Sequence, residues 1–365
     1  MASRVARVFA VVGFAAAVLG CAEATVIQGC EPADGVTPLC SVTNPEDLVA
    51  MPGGRWLITG EMPHPGAEPG IQGRLVAVRL ADEHQQVLFP GSVAATGPSL
   101  GDPACPGPPD PARFAPHGLD LRAISSGRNV LAVVNHGAQE RVDFFEVGEV
   151  GGGLRVAWVG CVVVPETVWP NDVVVQADGG LVVSKMLPAP LDASGFGTAF
   201  KMLTGGVTGA VFAWDPKAGW SEIENSQGSA PNGVAVAPNG DLFFAEWGAD
   251  RLVRLRQGEA GQVEREFIAL PHHPDNLSWA PDGRLLAAGQ VGSWPEMMAC
   301  QSVEQGTCAL PFSVVRVDPE SLGAEEILVH PGTAMGSVSS ALVVGDRLYL
   351  GSFASDRMAS AAYTP

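Results

Sequence analysis

The chain has 365 residues, with 21 Lys plus Arg against 39 Asp plus Glu and a formal net charge of -18. That balance excludes nucleic-acid binding as the principal activity, because phosphate recognition needs a basic surface. With 16% charged and 46% hydrophobic residues, 45 Gly and 30 Pro, the composition describes short buried strands between tight turns and excludes disorder and helix bundles.

Arg4 and Arg7 precede an apolar run over residues 8–20, the charged start and short apolar core of a secretory signal. The run is too short to span a bilayer. It ends Val18-Leu19-Gly20-Cys21, which resembles the bacterial lipobox, where the Cys becomes the lipid-bearing N-terminus. The expectation is an exported bacterial lipoprotein held at a membrane through Cys21 on the periplasmic or cell-surface side. Residues 1–20 then form the signal, residues 21–40 a tether and residues 41–365 the folded domain. The alternative is an ordinary cleaved signal in which Cys21 is incidental.

Six further cysteines, Cys30, Cys40, Cys105, Cys161, Cys300 and Cys308, suit disulfides in an oxidising compartment. Proximity in sequence favours Cys30 with Cys40 and Cys300 with Cys308, leaving Cys105 with Cys161. Six cysteines allow about 15 connectivities, so other pairings stay open. No Cys-x-x-Cys spacing points to zinc.

From residue 45 onward a turn and a following apolar strand recur. In chain order the turns are Pro52-Gly53-Gly54, Ser126-Gly127-Arg128, Asp178-Gly179-Gly180, Pro238-Asn239-Gly240, Pro281-Asp282-Gly283 and Val344-Gly345-Asp346. Each lies between apolar runs and reads as a β-hairpin. Six such units predict an all-β fold, a six-bladed β-propeller, with residues 192–210 and 288–312 as insertions. A β-sandwich is the structural alternative, but it does not explain the phase of the polar residues. Glu46, Asn171, Asn232, Asp275 and Ser337 each lie eight residues before a turn glycine, and His117 lies ten before Gly127.

In a propeller these positions enter the innermost strands and converge on the axis. Two carboxylates, Glu46 and Asp275, with the amide oxygens of Asn171, Asn232 and Asn276, make an all-oxygen cage that suits Ca²⁺ better than Zn²⁺ or copper. Taken singly, Asn and Asp before strands are ordinary turn formers.

The segments Pro45-Glu46-Asp47-Leu48, Ala115-Pro116-His117-Gly118-Leu119, Val133-Val134-Asn135-His136, Trp169-Pro170-Asn171-Asp172, Asn232-Gly233-Val234-Ala235 and Pro274-Asp275-Asn276-Leu277-Ser278, taken in order, resemble the calcium-dependent arylesterases and lactonases of the paraoxonase family. That family belongs with regucalcin and the gluconolactonases among six-bladed calcium propellers. The resemblance spans about residues 40–355. It implies a catalytic calcium at Glu46, Asn171, Asn232, Asp275 and Asn276. It implies a second, structural calcium at Asp47, Asp172 and the main-chain carbonyl of Leu119. His117 and His136 match the pair assigned general-base work. Two departures stand out: no Cys after Cys308 can join the chain's ends, and the positions around Lys185 and Gln290 lack the expected acidic and histidine side chains.

The implied chemistry is hydrolysis of a lactone or aryl ester, a small-molecule substrate. His117 accepts a proton from water and His136 orients it or relays the proton; Glu46 or Asp275 is the alternative base. His272 and His273 read as a solvated loop near the entrance. Trp56, Trp158, Trp214, Trp220, Trp247 and Trp279 read as blade packing. Two rivals remain: a sugar-lactone hydrolase of the gluconolactonase type with a polar, Arg-containing pocket, and a non-enzymatic propeller that binds a ligand or partner.

Overall fold

A computed structural model of the chain describes residues 23–63, 72–91, 100–124, 127–188, 196–258 and 262–365. The segment read as a secretory signal, Cys21, Ser126 and part of the 192–210 insertion lie outside the described residues. Six sheets, each built on an antiparallel meander of four strands, form the blades of a propeller. Their innermost strands are Pro45–Ala50, Pro116–Ala123, Val168–Val175, Pro231–Val236, His273–Trp279 and Val338–Val344, in blades 1 to 6. The hairpin turns take the form read from the sequence: Gly54, Gly127, Gly179, Gly240, Gly283 and Gly345 have φ between 62° and 91°, which L-residues rarely adopt.

Packing follows from two-faced blades. The strands bury alternate side chains against both neighbouring blades, so six apolar clusters fill the six gaps between sheets. Trp56, Phe89, Phe114 and Phe145 fill the gap between blades 1 and 2. Leu39, Leu57 and Met358 fill the one between blades 6 and 1. A seventh cluster lies at one end, where Met297, Trp247, Leu310 and Ala354 pack with Trp294 and Phe353. It is built by two short helices, α1 (Phe196–Leu203) and α2 (Trp294–Cys300), both within the expected insertions.

Closure of the ring corrects the boundary read from the sequence. Val36–Cys40, assigned to the tether, is the outermost strand of blade 6 and pairs with Arg357–Ala362 from Val36↔Ala361 to Cys40↔Arg357. The chain's two ends are therefore joined by a strand ladder. The physical reason is that Val36 and Leu39 are apolar and buried, which a solvated tether would not allow. Upstream, Val26–Ile27 pairs with Thr307–Cys308, and the buried guanidinium of Arg357 donates to the carbonyls of Ile27 and Gly29. Disulfides join Cys30 to Cys40, Cys105 to Cys161 and Cys300 to Cys308, the pairing favoured by the sequence.

Candidate active site

One local device positions the site in every blade. In blades 1 to 5 the innermost strand contains Pro-x-x-aliphatic, and the two middle residues are skipped by the ladder: Pro45 and Leu48 pair across it while Glu46 and Asp47 do not. The same bulge holds His117-Gly118, Asn171-Asp172, Asn232-Gly233 and Asp275-Asn276. A bulge re-aims side chains, and proline suits its first residue because it has no N–H to leave unpaired. In blade 6 the shift lies between Val338 and Ser340. Ser337, in phase by counting, is off the axis with its Oγ 3.3 Å from Cys300 Sγ. The blade 6 hairpin is shorter, Val344 pairing directly with Arg347, so counting back from Gly345 overshoots. Ser339 and Ser340 take the axial place, donating to the Glu46 carbonyl at 2.6 and 2.9 Å.

The bulges bring Glu46, Asn171, Asn232, Asp275 and Asn276 together, all buried. Asn276 Nδ2 donates to Glu46 Oε1 at 2.6 Å, tying blade 5 to blade 1. Asn171 Nδ2 faces Met186 Sδ at 3.9 Å. Four buried oxygens are left with no donor: Glu46 Oε2, Asn171 Oδ1, Asn232 Oδ1 and Asn276 Oδ1. Leaving a buried acceptor unpaired costs about 1–3 kcal/mol, so four at one point mark a place for a cation. The donors are oxygen only, two carboxylates among amides, which fits a hard ion such as Ca²⁺. Among the described residues no group of three or more His, Cys, Asp or Glu is arranged to hold a metal, as zinc would need.

Charge points the same way. Burial, then the charges of Asp275 and Asp47, raise the Glu46 carboxyl well above its usual range. Burial pushes Asp275 up to about 7, against hydrogen bonds from Gln290 and Asn232. One residue along, burial pushes Asp47 up to about 7, and burial with the Asp47 charge raises Asp172 well above the usual range. The surroundings of these two differ, however. Asp47 accepts from the backbone N–H of Leu48 and, in blade 2, of Leu119; Asp172 accepts from Val173 and, in blade 4, Val234, all at 2.7 Å. These carboxylates join neighbouring blades, and the unpaired-oxygen test selects the upper level and not this one. They line a second cavity of about 410 Å³ along the inner strands.

Above the cage is a cavity of about 470 Å³. Its floor is Glu46, Asn171, Asn232, Asp275 and Gln290; its walls are apolar, with Met186, Leu187, Trp247, Met297 and Phe353. His117 and His136 stand on one side. His117 Nδ1 lies 2.9 Å from His136 Nε2, and His117 Nε2 lies 3.7 Å from Glu46 Oε2. Burial, then the neighbouring His136 charge, lowers His117 to about 3, so it is a neutral imidazole at pH 7. His136 Nδ1 lies 2.6 Å from Glu140 Oε2 and 2.9 Å from Trp169 Nε1.

Three expectations are corrected. His272 is buried, with Nδ1 2.5 Å from Ser313 Oγ, and His273 is half-buried beside Trp247 and Asp250, so neither forms a solvated loop. Trp247 is a cavity wall, where its N–H donates to Gln290 Oε1 at 2.9 Å. Gln290, which the sequence marks only by what it lacks, is fully buried and donates to Asp275 Oδ2 at 2.7 Å and to the Val338 carbonyl at 2.8 Å. For Gln290 the sequence signal is a polar residue ending an apolar strand, Leu285–Gln290; Glu140 carries no comparable signal.

No protein family and no curated protein matches the chain in sequence. Solved structures match its fold. A gluconolactonase from Xanthomonas campestris is 14% identical with a TM-score of 0.51, covering 94% of this chain and 96% of its own. A luciferin-regenerating enzyme is 12% identical with a TM-score of 0.52, covering 93% and 95%. A candidate gluconolactonase is 18% identical with a TM-score of 0.52, covering 93% and 97%. At these identities the likeness is one of fold: the chain is a six-bladed propeller shaped like the gluconolactonase-type propellers.

Proposed function

We propose that this protein is a calcium-dependent carboxylic ester hydrolase acting on lactones or aryl esters. The observation that carries the reading is the set of four unpaired buried oxygens on the floor of a cavity whose edge holds a neutral histidine. Glu46, Asn171, Asn232, Asp275 and Asn276 would hold the catalytic ion. When bound there, calcium supplies positive charge for the carbonyl oxygen of the substrate and for the negative charge it gains. The level below, where Asp47, Asp172 and the Leu119 carbonyl would hold a structural calcium, fits an ion less well: both aspartates already accept backbone N–H bonds, and only their burial-raised carboxyls, with the Asp47 charge acting on Asp172, speak for it.

The remaining work belongs to the chain's own groups. His117 has a free ring nitrogen toward the cavity and takes the proton of the attacking water. His136, hydrogen-bonded behind it, fixes the ring plane and shares the charge that develops. Glu46 and Asp275 would be poorer bases with an ion bound, because both carboxylates belong to the set that would hold it. The walls exclude bulk water and receive the apolar part of the substrate.

The cavity walls favour this reading over a sugar-lactone hydrolase, since among the described residues no Arg or Lys lines the cavity. The hydrogen-bonded pair of histidines at the cavity edge supports catalysis over simple ligand binding, because it supplies a proton acceptor with a partner behind it. We also propose that Cys21 carries a lipid and that the protein works outside the cytoplasm; the three disulfides support an oxidising compartment. The test is hydrolysis of phenyl acetate, a long-chain lactone and gluconolactone, first with calcium and then with chelator. Turnover of the apolar substrates that vanishes on chelation and returns with Ca²⁺ is expected. Preference for gluconolactone would move the protein to the sugar-lactone class, and calcium binding without turnover to the binding propellers.

A further inference from the structure

The hydrogen-bond chain that starts at His117 runs on beyond His136 to two groups with opposed demands. Glu140 Oε2 and Trp169 Nε1 both approach one atom, His136 Nδ1, at 2.6 and 2.9 Å. A carboxylate accepts only and an indole N–H donates only, while a neutral imidazole carries a single N–H. One nitrogen cannot satisfy both, so whichever partner prevails fixes where the proton of His136 sits.

The consequence passes to the next ring. With Glu140 as partner, His136 carries its proton on Nδ1, and its Nε2 accepts from His117 Nδ1–H across 2.9 Å. His117 Nε2 is then an open lone pair, 3.7 Å from Glu46 Oε2. With Trp169 as partner every direction reverses. His136 Nε2–H donates to His117 Nδ1, and His117 Nε2 carries a hydrogen toward Glu46. The first arrangement leaves a base facing the cavity and the second does not.

We infer that Glu140 is a positioning residue that sets the tautomers of both histidines against the pull of Trp169, and so keeps the Nε2 lone pair of His117 turned to the cavity. A charge-assisted bond to a carboxylate outweighs a neutral one from an indole, and the shorter distance is the one to Glu140. The residue immediately precedes the third strand of blade 2, Arg141–Val150, and its side chain is partly exposed. Its main-chain carbonyl accepts from Val164 N–H at 3.0 Å, a bond that side-chain truncation leaves intact. For its kinetic arm the inference rests on the hydrolase reading; for its spectroscopic arm it does not.

The test uses the full chain with calcium and the variants Glu140→Ala, Trp169→Phe and both together. Ring ¹⁵N shifts of His117 and His136 are expected to report Nδ1–H in the parent and Nε2–H in Glu140→Ala. On the best ester of the panel, kcat of Glu140→Ala falls roughly 10²-fold or more while KM stays within about threefold, as expected for a base held in the wrong tautomer. Added acetate restores part of that kcat by refilling the carboxylate position. Glu140→Ala with Trp169→Phe recovers kcat relative to Glu140→Ala alone, because the competing donor is gone. Unchanged tautomers in Glu140→Ala, or a kcat loss that neither acetate nor Trp169→Phe relieves, would overturn the assignment. If the parent hydrolyses no substrate, the ring shifts alone decide it, and the hydrolase reading fails separately.

Discussion

Gln290 Nε2 donates to Asp275 Oδ2 at 2.7 Å from a side chain with no solvent exposure. The same amide donates to the Val338 carbonyl and accepts from Trp247 Nε1–H, so one residue ties a candidate calcium ligand, the sixth blade and the cavity wall together. Glutamine is the only near-isostere that can donate twice and accept once at this place. It fixes Asp275 through Oδ2, beside a second hydrogen bond from Asn232.

Replacing it by leucine keeps the volume and strands three buried groups. At about 1–3 kcal/mol for each of the three unpaired groups, Gln290→Leu is expected to destabilise the protein by roughly 3–9 kcal/mol, measured by urea unfolding in calcium. Calcium affinity should fall as well, since Asp275 loses its orientation. A loss below about 1 kcal/mol would mean the three partners find replacements and that Gln290 does not organise the site.

Much of this was legible in the sequence, and what was not has a physical reason. The six turn glycines and the polar residues before the strands fixed the number of blades and five of the axial side chains, because hairpin geometry is local. Closure by Val36–Cys40 was hidden because its pairing partner lies at the other end of the chain, and a short apolar run cannot announce a distant strand. Gln290 and Glu140 act through contacts made only after the blades assemble. A proline opens the bulge in five blades, at Pro45, Pro116, Pro170, Pro231 and Pro274, and marks the axial residue more directly than the turn glycine. Blade 6 has no such proline, so its axial residue, Ser339, is marked only by the strand register.

Calcium removal is expected to leave a protein whose stability falls as pH rises. Asp47 and Asp275 titrate near 3.8 when unfolded and at about 7 in the metal-free fold. The folded state therefore binds more protons than the unfolded one between these values, and the stability linked to them is lost as pH rises through about 7. His272, lowered by burial to about 4, acts in the opposite sense but at lower pH, between its folded value and 6.5. Between pH 6 and 8 the aspartates dominate, and Tm in chelator should drop by roughly 5–10 °C. Saturating calcium should remove that slope, because the bound ion favours the charged carboxylates. A chelated protein with a flat Tm over this range would count against buried, uncompensated aspartates at the axis.

His117→Gln separates the base from the ion site. Glutamine fills the space and can hydrogen-bond, but it cannot take a proton at neutral pH. With His117 as base, kcat on the preferred ester should fall roughly 10²–10⁴-fold. Calcium affinity, read by isothermal calorimetry, should stay within about threefold, as the histidine is not among the oxygen ligands. Full turnover in this variant would transfer the role of base to Glu46 or Asp275.

Gly233→Ala probes how closely the inner strands must approach. A Cβ on Gly233 would lie 2.5 Å from the Asp275 carbonyl oxygen and 2.6 Å from both Asn276 Cα and Leu277 N, all rigid backbone of the next blade. Gly118 stands against Asn171 and Asp172 in the same way, at 2.6–2.8 Å. Two glycines thus let blades 2 and 4 press against the bulges that carry the ligands of blades 3 and 5. Overpacking of this kind costs about 1–3 kcal/mol, and more where only backbone can move. Because the displaced atoms belong to Asp275 and Asn276, the added methyl should weaken calcium binding at least tenfold while lowering Tm. An alanine variant that is less stable but binds calcium like the parent would show that the cage tolerates the shift, and that the ligands are set by the bulge of blade 5 alone.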